Sequence, residues 1–516
     1  MKNISIINAT ALSPYTFQKL EDGSSAISRV VAFCRSLPEV QRVVCFTTEQ
    51  KLLEQDVQQV VREDWDTTQL LRGMQEVSSG FSHIFYVYGD CPFLSERLSQ
   101  RMYGNHIRYF AQYSFADGYP YGLSPEIVLV EVLPTLLRLS EGNHLPLKRT
   151  SLFDLIQTDI NSFDVETEIS SQDLRLLRVS LTTDSKRNLL LVNRLLEKGA
   201  KDDLSIVTLL QEAPKILRTL PAFFNVQIVE GCPQNCVYCP YPAMRASEPG
   251  KQDEMPPERF ERILQQIEGF CEDAVVSVSL WGEPSYHSRI AELIGSVLNR
   301  QQLELVIETS GIGWSEDVFQ HIKSEIEKSD TNTAITDKSL GTKSAADRAP
   351  KWIVSLDAWS EPVYAALRGE GFAEAVRTAE RLSQLFPGSL YVQAVRMKKN
   401  EEDLEQFYRG WKTKIDNLII QKYDHFCHTL PDDRVTDLSP LKRFPCWHNK
   451  RDVVILLDGS VPLCREDIGR ENILGNIWDD GIEQIWKRGA SVYEKHIGER
   501  YPSLCKECDE YYTYNF

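Results

Sequence analysis

The feature that most narrows the fold of this 516-residue chain is a regular alternation between residues 224 and 421. Six short β-rich apolar runs, at 224–229, 275–280, 303–307, 352–356, 390–395 and 417–421, are separated by segments of helical apolar spacing at 257–270, 288–298, 315–326, 373–385 and 402–412. Six such units with a parallel sheet predict an α/β fold, a (β/α)6 partial TIM barrel over 221–430, with its chemistry at the carboxyl ends of the strands. The stretch 328–349, rich in Ser, Thr, Lys, Asp and Gly, interrupts the pattern and predicts a mobile surface insertion.

The N-terminal third alternates in the same manner, with β-rich runs at 4–7, 42–46 and 83–88 and helical spacing at 26–35, 186–196 and 203–211. Pro214 and Pro221 mark a border, so residues 1–215 are expected to form a separate open α/β sheet domain. After Pro440 the alternation stops, and 440–516 reads as a small cysteine-rich extension. Three domains also suit the length, at roughly 150 residues each.

The chain carries 57 basic and 74 acidic residues, a formal charge of -17, which disfavours non-specific nucleic-acid binding and binding to anionic membranes. No apolar run is long enough to span a bilayer, and the opening MKNISIINAT lacks the long apolar core of a signal peptide. The expected compartment is therefore the cytoplasm, where thiols stay reduced and grouped cysteines mean metal or catalysis. Seven of the 12 cysteines are grouped in this way. Cys34, Cys45, Cys91, Cys271 and Cys427 lack partner spacing and read as core or incidental thiols.

The first run leads into Glu230-Gly231-Cys232-Pro233-Gln234-Asn235-Cys236-Val237-Tyr238-Cys239-Pro240. Three cysteines at C-x3-C-x2-C in a Gly/Pro loop can turn their sulfurs to one centre, and thiolates suit an iron–sulfur cluster or zinc. Three thiolates leave one iron of a [4Fe–4S] cube open. A zinc site with a distant fourth ligand, or three unrelated core thiols, would use the same residues.

This loop resembles that of the radical S-adenosylmethionine (SAM) superfamily, including the aromatic before the third cysteine. The resemblance implies that Cys232, Cys236 and Cys239 hold a [4Fe–4S] cluster whose open iron chelates SAM. One-electron reduction then yields methionine and a 5'-deoxyadenosyl radical that abstracts hydrogen from the substrate. It also implies an electron donor of flavodoxin or ferredoxin type. The second run ends in Trp281-Gly282-Glu283-Pro284, similar to the family's Gly-Gly-Glu-Pro segment that meets the SAM amino group, with His287 following. Trp281 stands where the family has its first glycine, a bulky indole that would reshape the pocket edge. Glu308-Thr309-Ser310-Gly311 is similar to the family's Thr-Asn-Gly segment, and Ser355-Leu356-Asp357 with Arg368-Gly369 resembles its Ser-Leu-Asp and Arg-x-Gly pattern. By that resemblance Tyr238, Gly282, Glu283, Pro284, Ser355 and Arg368 line the cofactor, with Ser355 and Arg368 reaching the SAM carboxylate or ribose. A helix cap and a surface arginine are the plainer readings of these two. Asn400 reads as a helix N-cap.

In the tail, Cys446, then Asp458-Gly459 and Cys464, then Gly475-Asn476, then Cys505-Lys506-Glu507-Cys508 offer four thiolates, suited to structural zinc or an iron–sulfur cluster. Their order resembles the SPASM/twitch extension of radical SAM enzymes that modify peptides and proteins, which implies an auxiliary [4Fe–4S] cluster on Cys446, Cys464, Cys505 and Cys508. The full pattern has further cysteines after C-x2-C, whereas none follows here. His448 reads as a packing residue.

In the N-terminal third, Asp90 follows a strand in Tyr88-Gly89-Asp90-Cys91-Pro92, and a glycine-rich stretch surrounds Gly118 and Gly122. These resemble sugar nucleotidyltransferases, in particular cytidylyltransferases, where the equivalent of Asp90 binds a metal that holds nucleotide phosphates. The expected phosphate loop is absent after the first strand, and Thr182 holds the place of the second metal aspartate. The whole order resembles the spirochaete-associated spiro-SPASM proteins. That name implies no reaction; the radical SAM and SPASM resemblances together imply a radical SAM enzyme acting on a peptide or protein. The alternatives are an enzyme acting on a nucleotide-activated sugar or other small metabolite, and a metal-stabilised binding protein without turnover.

Overall fold

The computed structural model describes residues 2–50, 57–141, 145–246, 253–333 and 348–513. They fall into two compact units, one drawn from Met1–Thr219 and the other from Leu220 onward.

The first unit is built on a seven-stranded sheet of β1 (Asn3–Ala9), β2 (Val40–Thr47), β3 (Gln58–Val61), β4 (His83–Tyr88), β5 (Tyr113–Asp117), β6 (Glu126–Leu129) and β7 (Val165–Ile169), in the order β3-β2-β1-β4-β6-β5-β7. All pairs are parallel except the two made by β6. Strand β1 is buried along its whole length, and its side chains alternate between two cores. Ile4 and Ile6 pack with Phe46, Leu70 and Tyr86 on one face, while Ile7 packs with Cys34, Phe85 and Leu98 on the other. Helix starts are set by side chains that satisfy orphan amides, as in the capping boxes at Ser25 and Asp202.

Glu126 opens β6 with its carboxyl buried beside Tyr113, and burial pushes that carboxyl from an ordinary 4.5 up to about 8. Because the folded value lies above the unfolded one, this contribution to stability is full below pH 4.5 and is lost as pH rises through about 8. Urea denaturation of wild type between pH 5 and 8.5 is expected to show the first unit weakening with pH, and Glu126→Gln is expected to flatten that slope.

The second unit contains β8 (Phe223–Val226), β9 (Ala274–Ser277), β10 (Leu303–Thr309), β11 (Lys351–Ser355), β12 (Leu390–Arg396), β13 (Asn417–Lys422) and β14 (Asp452–Ile455). They form one parallel sheet in the order β13-β12-β11-β10-β9-β8-β14. The six expected strands stand in chain order, as successive βα units require. The helices Pro257–Cys271, Ile290–Leu298, Phe372–Leu385 and Leu404–Lys412 fall where the apolar spacing put them, and their inner faces join the sheet in one core around Trp352, Phe260 and Phe407. In the expected insertion, the helix Glu316–Thr333 runs through 328–333, and 334–347 lie outside the described residues.

The seventh strand corrects the expectation that the alternation ends at Pro440. Strand β14 comes from the tail and pairs in parallel with β8, Asp452 opposite Phe223 and Ile455 opposite Val226. Beyond it, β15 (Ser460–Pro462) and β16 (Ile473–Asn476) form an antiparallel pair, and the helix Ile482–Ile497 places Ile482, Ile485 and Trp486 in the same core as the sheet. Gln266 seals this contact by donating to the carbonyl of Ile477 at 3.3 Å and accepting from the amide of Ile482 at 3.0 Å. Residues 440–516, expected to stand as a separate extension, thus share a sheet and a core with what precedes them.

Asn400 is also corrected from its N-cap reading, since the helix begins at Leu404 with Asp403 at the cap position. The Asn400 amide is buried and donates to the carbonyls of Asp357 (2.7 Å) and Val395 (2.9 Å), while its Oδ1 accepts from the Met397 amide (2.8 Å). It ties the ends of β11 and β12 together. Asn400→Ala leaves these buried groups unpaired and is expected to cost about 2–4 kcal/mol in chemical denaturation. Asn400→Asp, which can accept but not donate, is expected to be no better.

Candidate functional site

The loop that follows β8 is held on three sides. Gly231, at φ +108°, donates its amide to the Tyr241 hydroxyl at 2.6 Å and accepts from the Glu283 amide at 2.8 Å. The amides of Asn235 and Val237 donate to the carbonyls of Arg368 (3.1 Å) and Leu367 (2.9 Å), and a turn closes from Cys239 N to Cys236 O at 3.2 Å. Buried Gln234 donates to the Glu370 carbonyl at 2.6 Å. Cys232, Cys236 and Cys239 are brought together here as free thiols that feel one another electrostatically. Burial pushes the Cys232 thiol up to about 12 and raises the other two, with the positive charge of Arg368 opposing the rise at each.

Thiols so placed become thiolates only when a cationic centre takes them, which fits a metal cluster and not free nucleophiles.

The Gly-Glu-Pro segment lies beside this loop. Gly282 is required by contact as much as by conformation, since a Cβ there would stand 2.3 Å from the Val229 carbonyl oxygen. Trp281 takes φ +47°, a left-handed conformation that a glycine would adopt freely. Its carbonyl accepts from Gln227 Nε2 at 3.0 Å, and its indole packs with Leu280, Val454 and Leu456, its ring 5.6 Å from that of Phe426. Glu283 is buried, and its carboxylate accepts from the Thr309 hydroxyl and from the Ser310 amide at 2.8 Å. Burial raises its carboxyl and these hydrogen bonds oppose the rise. The segments ending β9 and β10 are thus joined through one carboxylate, which also feels the charge of Cys232. His287 is buried, accepting from the Arg289 amide at Nδ1 (3.0 Å) and pairing through Nε2 with the Met255 carbonyl (2.9 Å), away from any ligand role.

Arg368 differs from expectation. Its residue is 4% exposed, and its guanidinium pairs with Asp357, 0% exposed, at 2.5 Å. It also donates to the Tyr238 hydroxyl and to Gln234 Oε1 (3.2 Å), and Tyr238 in turn donates to Asp357 at 2.7 Å. The fork expected to reach a SAM carboxylate is instead committed beneath the cysteine loop, because Asp357, at φ +63° with its Oδ1 on the Val395 amide (2.7 Å), brings an otherwise uncompensated charge into the interior. Ser355 also points inward, donating to Glu308 at 3.4 Å, where Gln393 donates at 2.8 Å.

The tail brings Cys446, Cys464, Cys505 and Cys508 around an internal cavity of about 70 Å3, whose other walls include Asn225, Ser277, Glu308 and Ile353 of the sheet. Burial, the neighbouring thiols and, at Cys464, Glu466 raise the thiols of Cys446, Cys464 and Cys505, the last up to about 12. A buried charge network borders them. Arg465 pairs with Asp424 (2.9 Å), Glu466 (3.0 Å) and Glu510 (3.3 Å), while Lys422 pairs with Asp509 (3.1 Å) and Glu510. His448 is a packing residue, hydrogen-bonded to Asp452 (2.6 Å) and Thr513 (3.2 Å). Cys427, partly buried, lies just past the end of β13 in Asp424-His425-Phe426-Cys427-His428.

In the first unit Asp90 is buried at the end of β4, and Arg149 occupies both of its oxygens, Oδ1 at 3.1 Å. That guanidinium lies over Tyr88 and Tyr121, 4.9 and 5.3 Å from the ring centres, and reaches Asp184 at 3.3 Å. Thr182 donates to Asp184 at 2.8 Å. A cation already sits where a metal was expected, so these residues do not fit a resident metal at Asp90.

Removing one partner of the Asp357–Arg368 pair leaves a buried charge. Arg368→Met is expected to destabilise the second unit by about 3–5 kcal/mol, and Asp357→Asn/Arg368→Met to recover part of that loss. A double-mutant cycle in urea checks it.

Residues 226–328 match a family model described as the radical SAM superfamily, and residues 446–509 match one described as an iron–sulfur cluster-binding domain, SPASM. A protein of Treponema pallidum (strain Nichols) of uncharacterised function is 38% identical over 375 residues, which cover 71% of this chain and 98% of the relative. Among solved structures, Streptococcus suis SuiB bound to precursor peptide SuiA is 13% identical, with 74% of this chain and 84% of that chain covered and a TM-score of 0.41. BtrN in complex with AdoMet and 2-DOIA is 17% identical, with 56% and 94% covered and a TM-score of 0.34. A cytidylyltransferase from Leptospira borgpetersenii is 14% identical, with 42% and 95% covered and a TM-score of 0.35. Among the described residues no helix is long and apolar enough to cross a membrane. With both models matched and the Treponema relative spanned almost entirely, the chain belongs to the radical SAM superfamily, SPASM type, and is an enzyme using a [4Fe–4S] cluster with SAM.

Proposed function

We propose that Cys232, Cys236 and Cys239 hold the cluster that cleaves SAM, that Cys446, Cys464, Cys505 and Cys508 hold an auxiliary [4Fe–4S] cluster, and that the substrate is a peptide or protein. The observation that carries the first part is that Cys232, Cys236 and Cys239 stand in one anchored loop past the end of β8, with the Gly231 carbonyl of that loop bonded to the amide of buried Glu283. When bound, the cluster and SAM supply a 5'-deoxyadenosyl radical for hydrogen abstraction.

The protein's part is to position and to shield. Glu283, anchored by Thr309 and Ser310, offers a fixed carboxylate for the SAM amino group. Gly282 lets its strand end close onto Val229. Arg368 acts through the cysteines: its buried positive charge favours the thiolate form of Cys232, Cys236 and Cys239. Tyr238 fixes that guanidinium, and Pro284 starts the short 3-10 turn after Glu283. Ser355 belongs with Glu308 and Gln393 to a polar group on the inner side of the sheet.

The peptide or protein class is supported by the order of the tail cysteines, which resembles the extension of peptide-modifying members. The four tail thiols are sufficient to ligate an auxiliary cluster fully, which suits electron transfer, with a flavodoxin or ferredoxin as outside donor. The nucleotide-sugar reading depends on a metal at Asp90, and Arg149 takes that carboxylate. We assign residues 1–215 to recognition, 221–430 to the SAM chemistry and 440–516 to the auxiliary cluster.

Anaerobic reconstitution is expected to load roughly eight irons per chain. With dithionite and SAM it is expected to release 5'-deoxyadenosine, and Cys232→Ala to lower that release at least about 100-fold. Equal release from Cys232→Ala would defeat the assignment. Addition of Mg2+ is expected not to tighten CTP binding to the full chain.

A further inference from the structure

We propose that the first unit carries a binding site for an aliphatic ammonium group, in the cavity between Glu126 and the tyrosines at the end of β4. The site uses no residue of either cysteine group and rests on neither the cluster nor the substrate assignment.

The cavity measures about 230 Å3, and its walls include Tyr86 and Tyr88 of β4, Tyr113 and Phe115 of β5, Glu126 of β6 and Phe153. The sheet assembles it. Glu126 stands directly opposite Tyr86 in the antiparallel pair of β4 with β6, so the two side chains share one face, and Tyr88, two residues on, shares it as well. The helix Ser151–Gln157 brings Phe153 to the same place. Its ring lies 4.8 Å from that of Phe115 and 6.4 Å from that of Tyr113. The hydroxyls at the end of β4 are already engaged: Tyr86 accepts from Asn8 (2.7 Å) and donates to Tyr88 (3.3 Å), and Tyr88 donates to the Lys148 carbonyl (3.0 Å). What these two residues offer a ligand is ring surface.

Aromatic rings attract cations through their quadrupole. The edge of this site already does so, with the Arg149 guanidinium over Tyr88 and Tyr121. That cation is matched by Asp90 and Asp184. Glu126 has no such match: among the described residues neither it nor Asp154, whose charge it feels, forms an ion pair. Aromatic walls around an acid that lacks a cation select a positive ligand, whereas a phosphate or carboxylate would meet two acids and a guanidinium that is already committed. Size limits what can enter. Pockets that enclose a whole drug-sized ligand measure about 300–1,000 Å3, so this cavity suits a head group, a primary or methylated ammonium on an aliphatic stem, and not a nucleotide.

The buried Glu126 carboxyl keeps its proton up to about pH 8, so a cation that enters displaces that proton. The ionisable groups around it are Tyr86, Tyr88 and Cys91 at the end of β4, Tyr113 of β5, Asp154 of the helix and Arg149 before it. The three tyrosines and Cys91 are pushed above their ordinary values by burial, and Arg149 is held charged by Asp90. Affinity for a ligand of fixed charge therefore falls about tenfold for each pH unit below about 8.

The test is isothermal titration of the anaerobically reconstituted full chain with choline, whose charge is fixed, and with dimethylbutanol, its uncharged isostere. Choline is expected to bind at least about tenfold more tightly than the alcohol, with the affinity rising as pH is raised toward 8. Glu126→Gln, close in shape to the protonated acid, is expected to weaken choline binding about tenfold at pH 8 and to remove the rise. Phe153→Leu, which leaves the acid in place, is expected to weaken it about threefold. Nα-acetyl-lysine amide identifies the source of the ammonium: tighter binding than choline assigns a peptide side chain, and weaker binding a free amine. Equal binding of choline and dimethylbutanol overturns the proposal. So does a choline affinity and pH profile that Glu126→Gln leaves unchanged, or failure of both ammonium probes to bind.

Discussion

The site of this enzyme hangs on a buried ion pair. Asp357 and Arg368 lie where water does not screen them, and each is held by the other and by groups that belong to the site: Tyr238 and Gln234 of the cysteine loop, the Val395 amide of the neighbouring strand. Asn400 secures the Asp357 carbonyl from the next strand end. Through this pair the loop after β8, the end of β11 and the end of β12 become one rigid body. The loop gains a second benefit, because the guanidinium offsets the charge that three thiolates would otherwise accumulate in a buried place.

The auxiliary centre we propose for the tail meets a different problem: its four cysteines come from separate parts of the tail and line a small cavity together with residues of the sheet. Four carboxylates near it, Asp424, Glu466, Asp509 and Glu510, share the two cations Arg465 and Lys422, so the region is densely charged with an acidic excess. One continuous core runs from the sheet helices to the tail helix Ile482–Ile497, which fixes the two cysteine groups in a single unit.

Much of this was legible in the sequence, for physical reasons that differ by element. The six strands and their helices were readable because buried parallel strands are apolar runs and their covering helices are amphipathic with clear periods. The three-cysteine loop was readable because cluster chemistry fixes short spacings. Strand β14 was hidden because Val453 to Ile455 is four residues long with Asp452, sits among cysteines, and pairs with a strand far back in the chain. Strand β7, Val-Glu-Thr-Glu-Ile, was hidden as a polar sheet edge. Arg368 and Asp90 misled for a common reason: a motif gives a residue's type and its strand end, but the partner that neutralises it, Asp357 in one case and Arg149 in the other, is chosen by three-dimensional packing.

The pairing of β14 with β8 has a consequence for how the enzyme is made. Strand β8 launches the SAM-cluster loop, and its outer edge stays open until residue 452 has left the ribosome. Contacts of such long sequence separation form late. Cys232, Cys236 and Cys239 thus follow a strand whose second edge is covered only by residues 452–455, so the seat proposed for the first cluster is complete only once that distant segment has been added to the sheet.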